Sequence, residues 1–161
     1  GLMGYTSRFL TLTKGTGVIN RIFHSYGEYT GDMEGRRNGA LISIENGKAV
    51  AFAIFNLQAR GEMFVTHNDP VYEGMIVGLS SKSGDLEINV MKGKKLTNMR
   101  TQGTDENVVL TPPRQMSLEE KMSYINDDEV LEVTPKHLRL RKKYLDPHER
   151  KRMAKTNSQN V

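Results

Sequence analysis

A chain of 161 residues has room for one sizeable domain or two small ones. With 37% apolar residues, a mean hydropathy of −0.55 and no cysteine, it can build a core but neither a disulfide nor a cysteine-ligated metal site. No apolar run approaches the ~20 residues of a membrane span, and the first residues have neither the charged nor the apolar region of a signal peptide.

Gly1-Leu2-Met3-Gly4 reads as an internal cut in a longer protein. The net charge of +4 is unevenly placed: from Pro135 onward nine Lys/Arg face only Asp146 and Glu149, giving +7, while the preceding residues carry 14 basic and 17 acidic groups, or −3. A basic end of this kind suits a polyanion, most often nucleic acid, or serves as a solvated tail.

In chain order, MGYTSRFLTLTK (3–14) sets Met3, Tyr5, Phe9 and Leu12 on one helical face, with Gly15 as its stop. TGVINRIFHSYGEY (16–29) is β-branched and aromatic and predicts a strand covered on both faces. One helix and one strand make no domain, so this pair reads as the end of a larger α+β unit. TGDMEGRRNG (30–39) is a polar boundary. In ALISIENGKAVAFAIF, Asn46-Gly47 lies between two apolar runs and predicts a type I′ hairpin. NLQAR (56–60) suggests a helical turn or two, and EMFV (62–65), VYEGMIVGLS (71–80) and LEINVM (86–91) read as short strands.

After the segment 92–106 and VVLTPP, Ser117 with Glu120 forms a capping box opening SLEEKMSYIN, whose Leu118, Met122 and Ile125 share a face. EVLEVTP and KHLRLRKKYL are two further strands. In the second, Leu138 and Leu140 alternate with His137, Arg139, Arg141 and Lys143, one face for the core and one a row of cations. Asp146-Pro147-x-Glu149 opens a last helix with almost no apolar face.

Catalytic chemistry is not expected. His24, His67, His137 and His148 lack metal-ligand spacing, and neither a nucleophile elbow nor a Walker A sequence is present. Lys14-Gly15-Thr16-Gly17 is a turn rather than a phosphate loop. Asp127-Asp128-Glu129 is able to attract a cation but reads better as a solvated helix end. A small enzyme built on His67 and Asp69 is a weak rival.

KGKKLTNMRTQGTDE (92–106) is different: long polar segments inside compact domains are uncommon and usually functional or disordered. Lys92, Lys94, Lys95 and Arg100 suit phosphates; Thr97, Asn98, Thr101 and Gln102 suit sugars, phosphates or base edges. It holds no aromatic residue, so backbone and shape contact with RNA fits better than stacking. By residue type alone, an ordinary mobile loop fits too.

KKLTNMRTQGTDE, LTPPRQMSLEE and INDDEVLEVTPKHLRLRKKYLD strongly resemble the C-terminal region of the TypA/BipA family of bacterial translational GTPases, relatives of elongation factor G. VYEGMIVG and GKAVAFAIFNLQARGEMF match the same region, and FLTLTKGTGVINRIFHSYGEY resembles the last helix and strand of the domain V of that family. The resemblance implies an α+β chain: residues 1–31 a ferredoxin-like domain V remnant, 32–145 a mainly β C-terminal domain with one capped helix, and 146–161 a basic, partly disordered tail.

It also implies a cytoplasmic ribosome-binding fragment without enzymatic activity or cofactor of its own, GTP and Mg belonging to an N-terminal domain not in this chain. The family acts in ribosome assembly and in stress and cold adaptation, with large-subunit RNA and A-site tRNA as partners and neither membrane nor DNA. The loop 92–106 would reach the tRNA acceptor end. Arg139, Arg141, Lys142 and Lys143 would be phosphate contacts, with Arg36 and Arg37 adding to that surface. The alternatives are a charged but idle sheet face, and a protein-interaction module for acidic partners.

Overall fold

The computed structural model describes residues 5–28, 38–93 and 109–159. Helix α1 (Tyr5–Leu12) ends as its glycine dictates: Gly15 takes a φ of +79° and its N–H returns to the Leu10 carbonyl at 2.7 Å. The strand expected over 16–29 is not formed in 16–28. Val18, Ile22 and Tyr26 are 78%, 92% and 95% exposed, and no described strand lies alongside to take up the backbone. High β propensity without a partner ladder does not make a strand.

The rest of the described chain is a mixed sheet with helices. β1 (Ala40–Ser43), β2 (Gly47–Lys48), α2 (Ala51–Leu57, extended by a 3-10 turn over Gln58–Arg60), β3 (Gly61–Met63), β4 (Pro70–Val71), β5 (Met75–Ser80) and β6 (Leu86–Ile88) precede residues 94–108; α3 (Leu118–Tyr124), β7 (Glu129–Val133), β8 (Leu138–Lys142) and α4 (Pro147–Gln159) follow them. The main sheet runs β6-β1-β5-β8-β7 with β3 also on β5, and only β1–β6 is parallel; β2 and β4 form a separate pair.

The expected Asn46-Gly47 hairpin does not form. Both edges of β1 are occupied, by β5 and β6, so no edge is left for the segment after the turn. VAFAIF turns helical instead: alanines at 51 and 53 favour helix, and a helix buries Ala53, Ile54 and part of Leu57 together on one side. The Asn46 carboxamide oxygen accepts the Glu73 N–H at 2.9 Å, tying this loop to the turn before β5. In that turn Gly74 has a φ of +80°, and a Cβ there would meet the Leu145 backbone at 2.8 Å, so only glycine fits without a shift.

Both sheet faces are covered, which is why all four β1 residues are buried. On one face Leu41, Val77 and Ile88 pack with Ile54 of α2, and on the other Ala40, Ile42, Ile76 and Leu140 pack with Met116 and the end of α3. The predicted capping box is present: Ser117 Oγ accepts the Glu120 N–H at 3.2 Å and the Glu120 carboxylate accepts the Ser117 N–H at 2.9 Å. The inward face of α3 differs from expectation. Met122 is 61% exposed, whereas Tyr124 stacks edge-on against Phe64 at 5.6 Å and Ile125 joins the core.

α4 begins where Asp146-Pro147 predicted. Asp146 Oδ1 accepts the N–H groups of His148 (2.6 Å) and Glu149 (2.9 Å), and these bonds hold its carboxyl below the usual range. Its first turn is fastened to the sheet by Arg150, whose guanidinium meets Glu87 of β6 at 2.8 Å.

Candidate nucleic-acid interface

The β7–β8 ladder sorts the cations. Glu132 pairs with Arg139 and Val130 with Arg141; Glu129 pairs with Lys142 and Leu131 with Leu140. Side chains alternate along a strand, so Arg139 and Arg141 share one face with Glu132, and Lys142 lies on the other with Leu140 and Glu129. Arg139 Nη1 stands 3.7 Å from Glu132 Oε1, and the Tyr72 hydroxyl donates to Glu132 Oε2 at 2.6 Å. Burial pushes the Tyr72 pKa up, and the Glu132 acceptor adds to it. Arg141 donates to the Lys142 carbonyl at 3.1 Å, and Lys143 is exposed beside the Tyr144 ring.

Lys142 corrects the sequence expectation. It is 2% exposed, and its ammonium is enclosed by Asp85 (2.5 Å), Asp128 (2.7 Å) and Glu129 (3.0 Å). Burial alone would lower its pKa; the three carboxylates overcome this and raise it. An ammonium with its donors committed inside the fold has nothing to offer a phosphate. Asp128 and Glu129, expected as a solvated helix end, do attract a cation, and that cation is Lys142. Asp85 Oδ1 also accepts the Ala40 N–H at 2.7 Å and Glu129 Oε2 the Asn126 N–H at 3.1 Å, so the cluster joins four parts of the chain.

The loop's stems are well anchored. Val90 is buried and its carbonyl accepts the Val50 N–H at 2.9 Å; on return, Gln58 donates to the Thr111 carbonyl at 3.1 Å and the Arg114 N–H donates to Met63 at 2.8 Å. Lys92 is exposed at the departing stem. Lys94, Lys95, Thr97, Asn98, Arg100, Thr101 and Gln102, like Arg36 and Arg37, lie outside the described residues.

Sequence reasoning missed a second group of cations. One edge of β5 serves two strands: β3 pairs with Gly78–Ser80, and β8 pairs with Met75 and Ile76. Between them the sheet forks and opens a cleft of about 380 Å³ lined by Arg114, Lys121, Lys136, His137 and Arg139 over Phe64, Met116 and Leu138. Lys121 donates to the Leu138 carbonyl at 2.9 Å. Its i, i+4 spacing to the buried-face Ile125 was the available signal that it points inward. As for the rival enzyme, Asp69 Oδ2 accepts the Thr66 N–H at 2.8 Å and closes its own turn, while His67 is exposed. Among the described residues there is no cluster of acidic or histidine groups fit for a metal, and no helix is long and apolar enough to cross a membrane.

A mixed α+β sheet domain with arginines on one face of β8, between β5 and β7, and a cationic cleft at the fork of β3 and β8 presents groups suited to a polyanion. Residues 38–147 match the family described as the TypA/BipA C-terminal domain, and the chain belongs to that family. Similar proteins include the large ribosomal subunit assembly factors BipA of Salmonella typhimurium and Escherichia coli K12, each 51% identical over 153 residues, and that of Buchnera aphidicola subsp. Baizongia pistaciae, 48% identical over 151. These alignments cover 93–94% of this chain but only 25% of each relative, so the chain spans about a quarter of their length.

Proposed function

We propose that this chain is the ribosome-facing C-terminal part of a cytoplasmic translational GTPase that acts in large-subunit assembly, including under stress or cold. GTP and Mg bind elsewhere in the whole protein, and no chemical step occurs here. The loop from Lys92 through Lys94, Lys95, Thr97, Asn98, Arg100, Thr101 and Gln102 contacts ribosomal RNA and the A-site tRNA acceptor end. Arg139, Arg141 and Lys143 add phosphate contacts; Lys142 is withdrawn from the interface.

The observation that carries this reading is the split of the β8 cations: with Lys142 consumed internally, the sheet still holds Arg139 and Arg141 on its other face, with Lys143 exposed at the strand's end. The relatives' names as large-subunit assembly factors support the same partner. The test is co-sedimentation of the full-length protein with ribosomes in the presence of a GTP analogue, comparing wild type with Lys94→Ala/Lys95→Ala/Arg100→Ala at two salt concentrations. Weaker binding with a salt slope shallower by about 2–3 is expected, since each phosphate contact contributes about 0.7–0.9. Unchanged binding removes the loop as an affinity determinant. Binding that survives nuclease digestion of the RNA would favour a protein partner.

A further inference from the structure

From the fork between β3 and β8 we infer that the cleft is a nucleotide-unit pocket, its cations holding a phosphate and its apolar floor receiving the attached ring. Of the residues assigned to the interface above, Arg139 is the one among the described residues that also lines this cleft.

The fork itself explains why the cleft is cationic. Where β8 diverges from β5, the Leu138 carbonyl is met by a lysine ammonium instead of a strand amide. That places the half-buried Lys121 head inside the cleft, where among the described residues it pairs with no carboxylate and where burial alone depresses its pKa. An ammonium has three donors, and the Leu138 carbonyl engages one. A bound phosphate oxygen would supply the negative charge that this desolvated cation lacks.

The other charges are consistent with an anion. Arg114 is tied to Glu62 at 3.0 Å and Arg139 to Glu132 at 3.7 Å, which hold both guanidiniums in place without filling their five donors each. Lys136 and His137 are exposed at the rim. Among the described residues Asp69 is the one carboxylate lining the cleft, and its Oδ2 is turned to the Thr66 N–H. Phe64, Pro70, Met116 and Leu138 supply apolar surface beneath the cations, which a bare phosphate would leave unused and a base or ribose would cover. At about 380 Å³ the cleft is in the lower part of the range of small-ligand sites.

The ligand chemistry is a phosphate joined to a nucleoside, whether free or as one unit of an RNA strand. The experiment is a backbone-amide NMR titration of the isotope-labelled 161-residue chain with adenosine monophosphate, an RNA trinucleotide, inorganic phosphate and adenosine. Saturable shifts confined to residues around 64–70, 114–121 and 136–139 are expected with the first two, weaker ones with phosphate, and weakest with adenosine. Tighter binding of the trinucleotide assigns the site to a strand, tighter binding of the monophosphate to a free nucleotide.

Lys121→Met is expected to weaken binding about tenfold, and Lys136→Ala, which removes only an exposed rim charge, about threefold. No saturation with either nucleotide, shifts spread over the cations of α4, or wild-type affinity in both variants would overturn the pocket. Ribosome binding by Lys94→Ala/Lys95→Ala/Arg100→Ala reports separately on the loop, so either proposal can fail alone.

Discussion

β8 carries two kinds of cation one residue apart. Arg141 stands on the face with Met75, Tyr72 and Glu132 and keeps part of its surface in water; Lys142 on the opposite face is sealed in by three carboxylates. Their side chains differ little in charge and reach, so strand register alone assigns one to structure and the other to the outside. A count of basic residues therefore overstates an interface wherever a strand has a buried face.

The comparison can be broken most strongly at Lys142. Lys142→Met leaves Glu129, whose side chain is fully buried, without its cation, and a loss of about 3–5 kcal/mol in unfolding free energy is expected by chemical denaturation. If Lys142 were an idle surface charge, the change would fall within about 0.5 kcal/mol.

The pH dependence sharpens the contrast between Lys142 and Lys121. The raised pKa of Lys142 means that its contribution is complete below the ordinary lysine value of 10.5 and is lost as pH rises through the higher folded-state value. The lowered pKa of Lys121 has the opposite sign: between its folded value and 10.5 the unfolded chain holds more protons, so stability rises with pH. Unfolding titrations in alkaline buffer should lose the falling limb in Lys142→Met and the rising limb in Lys121→Met.

Smaller effects follow on elements away from the cluster. Ser117→Ala removes the α3 cap and should cost about 1 kcal/mol, seen as a shift in denaturation midpoint with unchanged slope. Tyr72→Phe deletes a hydrogen bond to the partly exposed Glu132 and should cost about 1 kcal/mol. Lys143→Ala should change stability by no more than about 0.5 kcal/mol.

Legibility in the sequence followed the range of the interactions. The Ser117–Glu120 box, the Asp146 cap and the Gly15 stop rest on residues within a few positions of one another, and each formed as expected. The β8 alternation was equally local, and followed through it already placed Lys142 on the Leu140 face. What concealed the burial was Asp85, 57 positions upstream, whose approach depends on the parallel β1–β6 pairing. The Asn46-Gly47 turn failed for the same reason, because nothing nearby in sequence shows that β5 and β6 occupy both edges of β1. The fork cleft was invisible for want of any motif: its cations come from three separate segments brought together by two strands sharing one edge.

The division between the faces of β8 is tested most directly by Arg139→Gln/Arg141→Gln set beside Lys142→Met in ribosome co-sedimentation, each with its denaturation midpoint measured under the same conditions. The double variant should keep a near-native midpoint and bind more weakly, with a salt slope shallower by about 2. Lys142→Met should lose stability and, at temperatures where it remains folded, bind like wild type. Undiminished binding by the double variant, or weakened binding by folded Lys142→Met, would contradict the account.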